Sequence, residues 1–489
     1  MFQPGSKLKG ILIGAMSLLV AWLMIYALGG QSPEYARTYL IISLTATILI
    51  WRGAMVLSNR PPWYSPHALI LFGMFIIEVV APVAVLHYRV PAYVFERPLT
   101  PEEFEAATML GLVGVVAYLV GWAIGPKRTT FNRRFEWYLT DTPQVQKNFT
   151  IMCFALYAAG IFAWMMMYRT VGGIAEHMEN MGGGRREMQG GAGAIIWHLS
   201  KLAYVGALLY FSRHGLKLLS IAMILFLAVF LLAFGSRSYA AILFAGAFII
   251  YRVRHTEKIP LVVWGIMASA LFFFMTFWTL LRRTGGDMSE AAEMYSELKS
   301  TQETAILHAV GSWMFIRNRA ELIHYMGDKI PWMNGETYLT FFKFIPQFIW
   351  PGQNQIISGA QVYMQYLVPH RVGKVSLSSQ LFTEFYINFG YPGVIISALL
   401  CGVLIRWFHS RLLADPMRRF QVPHVVLSAL LTLCLVRVLK GGIQAMNVPV
   451  YFFVGVFLVY LPNLGYLINP PPQSDPADAG DHQGREAAG

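Results

Sequence analysis

Charged residues are scarce in this chain. Asp, Glu, Lys and Arg make up 13% of its 489 residues, whereas hydrophobic residues make up 56%. Soluble globular domains are usually about a quarter charged, so this composition excludes a soluble protein and indicates an integral membrane protein. The net charge of +12 comes from short basic clusters between apolar runs. Such clusters orient membrane helices, and we therefore expect no nucleic-acid partner.

Cysteine is also rare in this chain. The three cysteines, Cys153, Cys401 and Cys434, all lie inside apolar runs, which leaves no disulfide framework and no CxxC metal motif. The polar segments also offer no cluster of carboxylates with the spacing of a DxD or HExxH motif. We therefore expect neither a metal nor another cofactor.

Apolar runs long enough to cross a hydrocarbon core of ~30 Å recur along the chain. They lie near residues 10–28, 38–57, 67–88, 107–124, 149–168, 194–211, 218–234, 238–251, 261–281, 392–408, 424–438 and 449–468. The sequence thus predicts an all-α fold, a polytopic bundle of about twelve transmembrane helices.

Lysine and arginine are concentrated in alternate connections, beginning with Lys7 and Lys9. Because cytoplasmic loops carry the excess of these residues, both termini are predicted to be cytoplasmic. The predicted layout is an N-terminal transmembrane bundle over 1–281, a large extracytoplasmic loop with amphipathic helices over 282–391, C-terminal transmembrane helices over 392–468 and a disordered cytoplasmic tail over 469–489.

Arginines are nevertheless present on the side predicted to face outward, where few cations are expected. Arginine binds phosphate bidentately, so the set predicts an anionic ligand at the outer mouth; snorkelling to the interface is the alternative. The set comprises Arg169, Arg185, Arg186, Arg237, Arg282, Arg283, Arg317, Arg319 and Arg437, with Lys440.

Two glycine-containing connections carry some of these arginines. The turn Gly235-Ser236-Arg237-Ser238 offers hydroxyls and backbone N–H groups that can line an anion-binding concavity, or it is a plain hairpin turn. The glycine-rich loop over 182–193 either delivers Arg185 and Arg186 to a ligand or serves as a flexible connector.

The predicted outer loop contains further candidates. Helical spacing over 303–326 places His308 and Arg319 on one face, where His308 is a base, a diphosphate contact or a packing residue. On the other face, Arg317 and Glu321 have the i,i+4 spacing of a surface ion pair. The aromatic segment 338–351 is interrupted by a proline, so we expect it to lie along the membrane interface as an entry wall for a lipid or as a lid.

Acidic residues are few, and two of them are in unusual places. If 379–389 is helical, Gln380, Glu384 and Asn388 form one polar stripe, and 390–393 ends that helix and begins the next span. Glu384 is then either a base for a sugar hydroxyl or an anchor for the loop. Glu78 lies within an apolar run, where it pairs with an arginine of another helix or marks a polar cavity.

Three stretches between 170 and 410 resemble Wzy-type oligosaccharide repeat-unit polymerases of bacterial surface polysaccharides. They are Phe234-Gly235-Ser236-Arg237-Ser238, then Asn334-Gly335-Glu336-Thr337-Tyr338 followed by Phe344-Ile345-Pro346 and Ile349-Trp350-Pro351, and finally Ser378-Ser379 leading to Glu384-Phe385-Tyr386-Ile387-Asn388-Phe389-Gly390-Tyr391-Pro392-Gly393. The related O-antigen ligases share the large outward loop and the arginine-rich mouth.

The resemblance implies a multi-pass glycosyltransferase of the bacterial cytoplasmic membrane, with an architecture of the GT-C type. Its donor would be a glycan on undecaprenyl diphosphate and its acceptor an incoming lipid-linked repeat unit; a chain-length regulator and a flippase are possible partners. A ligase, or a transporter of a lipid-linked or anionic substrate, is the alternative. The expected residues are Glu384, His308 and Arg237 for catalysis, Arg185, Arg186, Arg237, Arg282, Arg283 and Arg319 for the diphosphate, and Gln380, Asn388 and Tyr338 for the acceptor and loop.

Overall fold

The computed structural model describes residues 33–58, 66–87, 99–126, 143–173, 193–233, 237–254, 315–345, 349–367, 379–412 and 422–461, with a few single positions and short pieces between them. Within these ranges the chain is helical, and one isolated bridge joins Met326 to Ile330. The predicted all-α fold class is therefore confirmed for the described residues.

The helices follow one another in chain order. They are α1 Ala36–Ser58, α2 Pro66–Phe75, α3 Ala81–His87, α4 Pro101–Ile124, α5 Pro143–Arg169, α6 Gly193–Leu199, α7 Leu202–His214, α8 Leu218–Ala233, α9 Arg237–Arg254, α10 Ile316–Tyr325, α11 Gly359–Leu367, α12 Leu381–Leu412, α13 Val422–Gly441 and α14 Asn447–Tyr460. A π-helical segment, Ile76–Val80, joins α2 to α3, and short 3-10 segments cover Pro33–Tyr35, Glu336–Phe344, Pro351–Gln355 and Ile443–Met446.

Five helical stretches in the described part are long and apolar enough to cross a membrane. They are Pro33–Val56, Pro66–Leu86, Pro101–Ile124, Pro143–Arg169 and Leu381–Ser410. Several large apolar side chains on the helices are mostly exposed, among them Phe72 (63%) and Ile396 (60%). A water-soluble fold would bury such side chains, whereas lipid covers them in a membrane, which agrees with the composition.

The other predicted spans have mixed outcomes. The runs near 194–211, 218–234, 238–251, 424–438 and 449–468 coincide with helices α6 to α9, α13 and α14, which are outside the set of five. The runs near 10–28 and 261–281 lie outside the described residues. The total of about twelve spans stays a prediction.

The start of α4 shows how local sequence sets a helix boundary. The Thr100 hydroxyl accepts a hydrogen bond from the Glu103 N–H (3.4 Å), and the Glu103 carboxylate accepts one from the Thr100 N–H (2.9 Å). This capping box satisfies two N–H groups that a helix start otherwise leaves unpaired, and Pro101 takes a first-turn position that needs no N–H.

Two hydrophobic cores form the bundle. One is built mainly by α5, α7, α8, α9, α13 and α14, and the other mainly by α1 to α4 and α12. Helix α13 belongs to both, since Leu430 and Cys434 lie in the first core and Val438 and Leu439 in the second. The two cores therefore meet along α13.

Glycine allows α4 and α12 to approach closely. A Cβ at Gly402 would overlap the backbone oxygen of Tyr118, and a Cβ at Gly121 would overlap that of Leu399. Small residues at such contacts are typical of membrane helices, where close approach supplies van der Waals attraction. This contact runs along much of the second core.

Helix α12 is broken near its start. Phe389 (φ −144°, ψ 20°) and Gly390 (φ 64°, ψ −155°) leave the helical region, and Pro392 lacks the N–H that would continue the ladder. The short helix 381–388 is thus separate from the long helix after the break. The sequence prediction of a break at 390–393 is confirmed.

Candidate active site

The three residues predicted to form a polar stripe are all buried, but only Glu384 and Asn388 lie on the short helix, since it begins at Leu381 and Gln380 precedes it with a left-handed backbone (φ 52°). Gln380 is 2% exposed, and Glu384 and Asn388 are each 0% exposed. Each of the three side chains binds a different distant part of the chain. The short helix therefore joins the segments around it through polar contacts at a site enclosed by protein.

Glu384 binds the segment that follows α13. Its Oε2 accepts hydrogen bonds from the Ile443 N–H (2.7 Å) and from the Ser379 hydroxyl (3.3 Å). Gly442, at φ 70°, lies so close that a Cβ would overlap the same oxygen. Glycine is therefore required there both for its backbone conformation and for the space that the carboxylate occupies.

The other carboxylate oxygen of Glu384 is less well satisfied. Within the described residues, Oε1 has no hydrogen bond of ordinary geometry, although the Thr337 hydroxyl and the Gly359 N–H lie near the carboxylate as further donors. A buried acceptor without a full set of partners is costly in a purely structural role. Such an oxygen is well suited to accept a proton or a donor from a bound molecule.

Asn388 ties a loop to the short helix. Its Oδ1 accepts from the Gly335 N–H (2.8 Å), and its Nδ2 donates to the Thr337 hydroxyl (2.7 Å) and to the Glu384 backbone oxygen (2.7 Å). The backbone contributes a further bond from the Asn334 N–H to the Asn388 oxygen (3.2 Å). The segment 333–338 is thus held directly over the Glu384 carboxylate.

Tyr338 lies in the same segment. Its hydroxyl is 3.1 Å from that of Ser397 on α12, and its ring makes edge contacts with Phe385 and Phe389. Burial raises the pKa of Tyr338 to about 12, so the phenol is neutral at physiological pH. It can donate or accept one hydrogen bond but adds no charge to the site.

Arg319, on the loop helix α10, is buried against the second core and is 1% exposed. Its guanidinium forms two hydrogen bonds with Glu78, at 2.7 and 2.8 Å. The remaining donors bind the Ala107 backbone oxygen (3.0 Å), Gln380 Oε1 (2.5 Å) and the Thr383 hydroxyl (3.2 Å). All five N–H groups of the guanidinium therefore have acceptors.

This ion pair decides between the two interpretations of Glu78. The sequence had offered an arginine partner or a polar cavity for Glu78. The carboxylate pairs with an arginine, Arg319, which comes from the loop helix α10. A Cβ at Gly111 would overlap Glu78 Oε2, so the small residue on α4 makes room for the pair. The π-helical segment places Glu78 in this position, as such bulges often do at functional residues.

Another buried pair lies on the opposite face of α10. Glu321 is 1% exposed and lies 3.9 Å from Arg317, so the predicted surface ion pair is in fact largely enclosed. The Tyr363 hydroxyl donates to Glu321 (2.9 Å), and burial together with the glutamate charge raises the pKa of Tyr363 far above its usual range. The i,i+4 spacing alone could not show that Tyr363 of α11 covers this face of α10.

The structure also brings together two cations that the sequence did not connect. Lys201, 2% exposed, donates to the Trp197 backbone oxygen (2.9 Å) and lies 4.1 Å from the Trp197 ring centroid. The Arg437 guanidinium stacks on Tyr239 at 4.2 Å, and the Tyr239 ring is 5.6 Å from that of Trp197. One Arg437 nitrogen, Nη1, is buried and has no hydrogen-bond partner within the described residues.

This second cationic cluster is adjacent to the carboxylate site. Arg437 precedes Gly441, the last residue of α13, by four positions, roughly 6 Å along the helix axis, and Gly442 follows directly. The sequence prediction omitted Lys201. A lysine inside the apolar run 194–211 is nevertheless unusual, and that signal could have identified it.

The structure describes no side chain for the remaining predicted residues. Arg237 begins α9, and nothing is described of its side chain. Five others lie outside the described residues, namely Arg185, Arg186, Arg282, Arg283 and His308. Among the side chains that are described, no three His, Cys, Asp or Glu residues converge as metal ligands would.

Membrane-spanning helices with a buried carboxylate where a polar loop closes one end of the bundle define a polytopic membrane protein with an enclosed site for polar chemistry. A family model described as O-antigen polysaccharide polymerase Wzy matches residues 11–437. The chain therefore belongs to the Wzy family of O-antigen polymerases, multi-pass proteins of the bacterial inner membrane that act on lipid-linked oligosaccharide repeat units. No solved structure matches the chain. The resemblance found in the sequence is confirmed, and the protein is a glycosyltransferase-type membrane polymerase.

Proposed function

We propose that this polymerase joins repeat units carried on undecaprenyl diphosphate at the outer face of the cytoplasmic membrane. The proposal includes about twelve spans in a GT-C-like arrangement, both termini in the cytoplasm, and the loop 282–391 outside, between the bundles 1–281 and 392–468. Alternating basic connections support this orientation. A chain-length regulator and a flippase are proposed partners, and the tail 469–489 is proposed to be disordered.

The observation that carries the proposed chemistry is the enclosed carboxylate of Glu384. In the proposed step, the acceptor hydroxyl loses its proton to Glu384, and its oxygen forms a bond to the anomeric carbon of the donor. The bond from that carbon to the diphosphate oxygen breaks, and undecaprenyl diphosphate leaves with the electron pair. Proton transfer to a positioned base of this kind contributes about 10²- to 10⁴-fold to a rate.

Access to Glu384 requires movement of the loop above it. The carboxylate is 0% exposed, and the segment 333–338 covers it through the bonds to Asn388. These contacts are a small number of hydrogen bonds, each with a net worth of about 1 kcal/mol, so an acceptor that replaces them could displace the segment. In this view Asn388, Gln380 and Tyr338 position the loop and the acceptor.

Cations at the same end are proposed to stabilise the departing diphosphate. Arg185, Arg186, Arg237, Arg282 and Arg283 are retained in this role, since arginine matches phosphate oxygens bidentately. We add Arg437 and Lys201, because Arg437 has an unpartnered buried nitrogen, among the described residues, close to the Glu384 site. His308 is retained as a second candidate base or diphosphate contact.

The sequence predicted Arg319 as a diphosphate contact, but we propose a positioning role for it instead. All five of its donors are used by Glu78, Ala107, Gln380 and Thr383. We therefore propose that Arg319 positions Gln380, and through it the first turn of the short helix that carries Glu384. The guanidinium would reach a diphosphate only if the Glu78 pair opened.

The test is transfer by the purified protein in liposomes, supplied with lipid-diphosphate repeat units, with products resolved as a ladder. Glu384→Gln removes the base but keeps an oxygen for the Ile443 N–H. We expect a loss of about 10²-fold or more in turnover, with substrate binding nearly unchanged. Glu290→Gln, an exposed carboxyl in the predicted outer loop, is the matched control. Turnover of Glu384→Gln equal to that of the control would refute the base assignment.

A further inference from the structure

A second group of basic side chains lies at the end of the bundle opposite Glu384. It comprises Arg52 on α1, His67 on α2 and Arg406 and His409 on α12. Arg406 lies about four turns after Pro392, roughly 21 Å along the unbroken part of α12, whereas Glu384 lies beyond the break at the other end of that helix. The group is therefore separate from the proposed polymerase site, and a ligand bound there is independent of the Glu384 chemistry.

An aromatic stack organises this group. The imidazole of His67 lies parallel to the Trp122 ring, with centroids 3.7 Å apart and 4° between the planes. Arg52 Nε donates to His67 Nε2 (3.4 Å), and His67 Nδ1 is 3.0 Å from the Tyr118 hydroxyl. Since Nε2 accepts, these partners assign the proton to Nδ1 and leave the ring neutral. His67 thus orients Arg52 without adding charge.

The same stack holds the other guanidinium. Arg406 Cζ lies 4.9 Å from the Trp122 ring centroid, within the range of a cation–π interaction. The stem of Arg406 also packs on Gly125, where a Cβ would come within 2.8 Å of the Arg406 Cβ. Two arginines from helices far apart in the sequence are therefore held by the two members of one aromatic pair, Arg52 by His67 and Arg406 by Trp122.

The charges of these arginines are not neutralised within the described residues. There, neither Arg52 nor Arg406 forms an ion pair with a carboxylate. Arg406 Nε is buried and has no hydrogen-bond acceptor among the same residues, and the two guanidinium charges repel each other. A site with two oriented cations and an unsatisfied donor is complementary to an anion with several oxygens.

Neighbouring tryptophans place the group at the level of lipid headgroups. Trp51 and Trp407 adjoin the two arginines in sequence and are 55% and 39% exposed. Exposed tryptophans concentrate at the interface between hydrocarbon and water, where their rings contact acyl chains and their N–H groups reach polar atoms. The arginines therefore lie where phospholipid phosphates are found.

We propose that Arg52 and Arg406 bind the phosphate group of an anionic phospholipid, which links α1 to α12 at this end of the bundle. Basic pockets between transmembrane helices are a known form of headgroup site. The phosphodiester offers two free oxygens, one for each guanidinium, while the acyl chains run along the apolar helix surfaces. Free inorganic phosphate has the same oxygens and is the other possible source of the ligand.

The experiment uses the full-length protein, purified and stripped of lipid in a neutral detergent. Retention of phosphatidylglycerol and of phosphatidylcholine is measured by native mass spectrometry, with a parallel titration of inorganic phosphate. We expect phosphatidylglycerol to bind preferentially, about fivefold more weakly after Arg52→Gln or Arg406→Gln and about 25-fold more weakly after both. Arg213→Gln, in the last turn of α7 and outside this group, is the matched control and should bind normally.

Several outcomes would overturn the inference. Unchanged phosphatidylglycerol retention by the double variant, or an equal loss of retention in Arg213→Gln, would refute a specific headgroup site. The two arginines would then only extend to the membrane interface. Binding of inorganic phosphate alone, abolished in the double variant, would refute a lipid source. If the double variant does not fold, Arg52→Lys with Arg406→Lys keeps both charges but not the oriented planar guanidinium groups; undiminished binding there would refute recognition by oriented guanidinium donors.

Discussion

Removing the guanidinium of Arg319 should destabilise the folded protein strongly. Arg319→Gln leaves the Glu78 carboxylate buried, 6% exposed, without its partner. Breaking one side of a buried ion pair typically costs about 3 to 5 kcal/mol, because an uncompensated charge remains in a medium of low dielectric. The loss of hydrogen bonds to Gln380, Thr383 and the Ala107 oxygen acts in the same direction. We expect the folding equilibrium to weaken by about two to three and a half orders of magnitude.

The double variant separates the ion pair from these other contacts. Glu78→Gln alone should be about as destabilising as Arg319→Gln, because it isolates the opposite charge. Together they leave two neutral amides, so the double variant should be less destabilised than the sum of the single variants by about 3 kcal/mol. A control, Lys329→Gln, removes an exposed cation just after α10 that forms no ion pair within the described residues.

The assay is unfolding by sodium dodecyl sulfate in mixed micelles, followed by the fluorescence of the tryptophans. Transfer activity is measured at temperatures where each variant is still folded, which distinguishes positioning of Gln380 from stability alone. If the effects of Glu78→Gln and Arg319→Gln simply add, to within ~0.5 kcal/mol, the two side chains do not interact as the structure shows. Full stability of Arg319→Gln would refute the reasoning altogether.

Other predictions concern the site and its orientation. Gly442→Ala should abolish transfer, because the added Cβ would overlap Glu384 Oε2 at a backbone φ of 70°. The control Gly441→Ala should retain transfer, since its Cβ would meet only Ala445, at 3.4 Å. Equal activity of the two variants would contradict the close fit of Gly442 to the carboxylate. Asn388→Ala should release the segment 333–338, costing about 1 to 3 kcal/mol for the unpaired Gly335 N–H, and should speed proteolysis there; wild-type cleavage rates would argue against this tie. Arg237→Ala should leave single capped units instead of polymer in cells, and normal long chains would remove its proposed phosphate role. A cysteine at position 350 should react with an impermeant maleimide from outside, and protection would invert the proposed topology.

Local patterns in the sequence predicted much of the helical framework. Runs of apolar residues correspond to helices because a chain in lipid must satisfy its backbone hydrogen bonds internally. The i,i+4 spacing of Glu384 and Asn388 identified one helical face, although Gln380 lies just before the helix, and the glycine and proline at 390 and 392 located the break in α12. These features depend on neighbouring residues, which the sequence displays directly.

The family was also accessible from the sequence, since short motifs between 170 and 410 carried the resemblance that the match over 11–437 confirms. Roles of single residues were harder to infer. Arg319 has the same chemistry as the other arginines of the outer loop, and only its contact with Glu78, 241 positions away, shows that its donors are already used. Lys201 and Arg437 are likewise brought near each other by the tertiary contact between the Trp197 and Tyr239 rings.

The sequence by itself determined the membrane class, most helix positions, the polar face of the short helix and the family. Tertiary structure decided which cation meets which anion, how deeply Glu384 is enclosed and which basic residues gather at the far end of the bundle. The division has a physical cause. Hydrophobic periodicity and backbone preferences act over a few residues, whereas the energy of a charge depends on its burial and on partners that folding brings from hundreds of positions away.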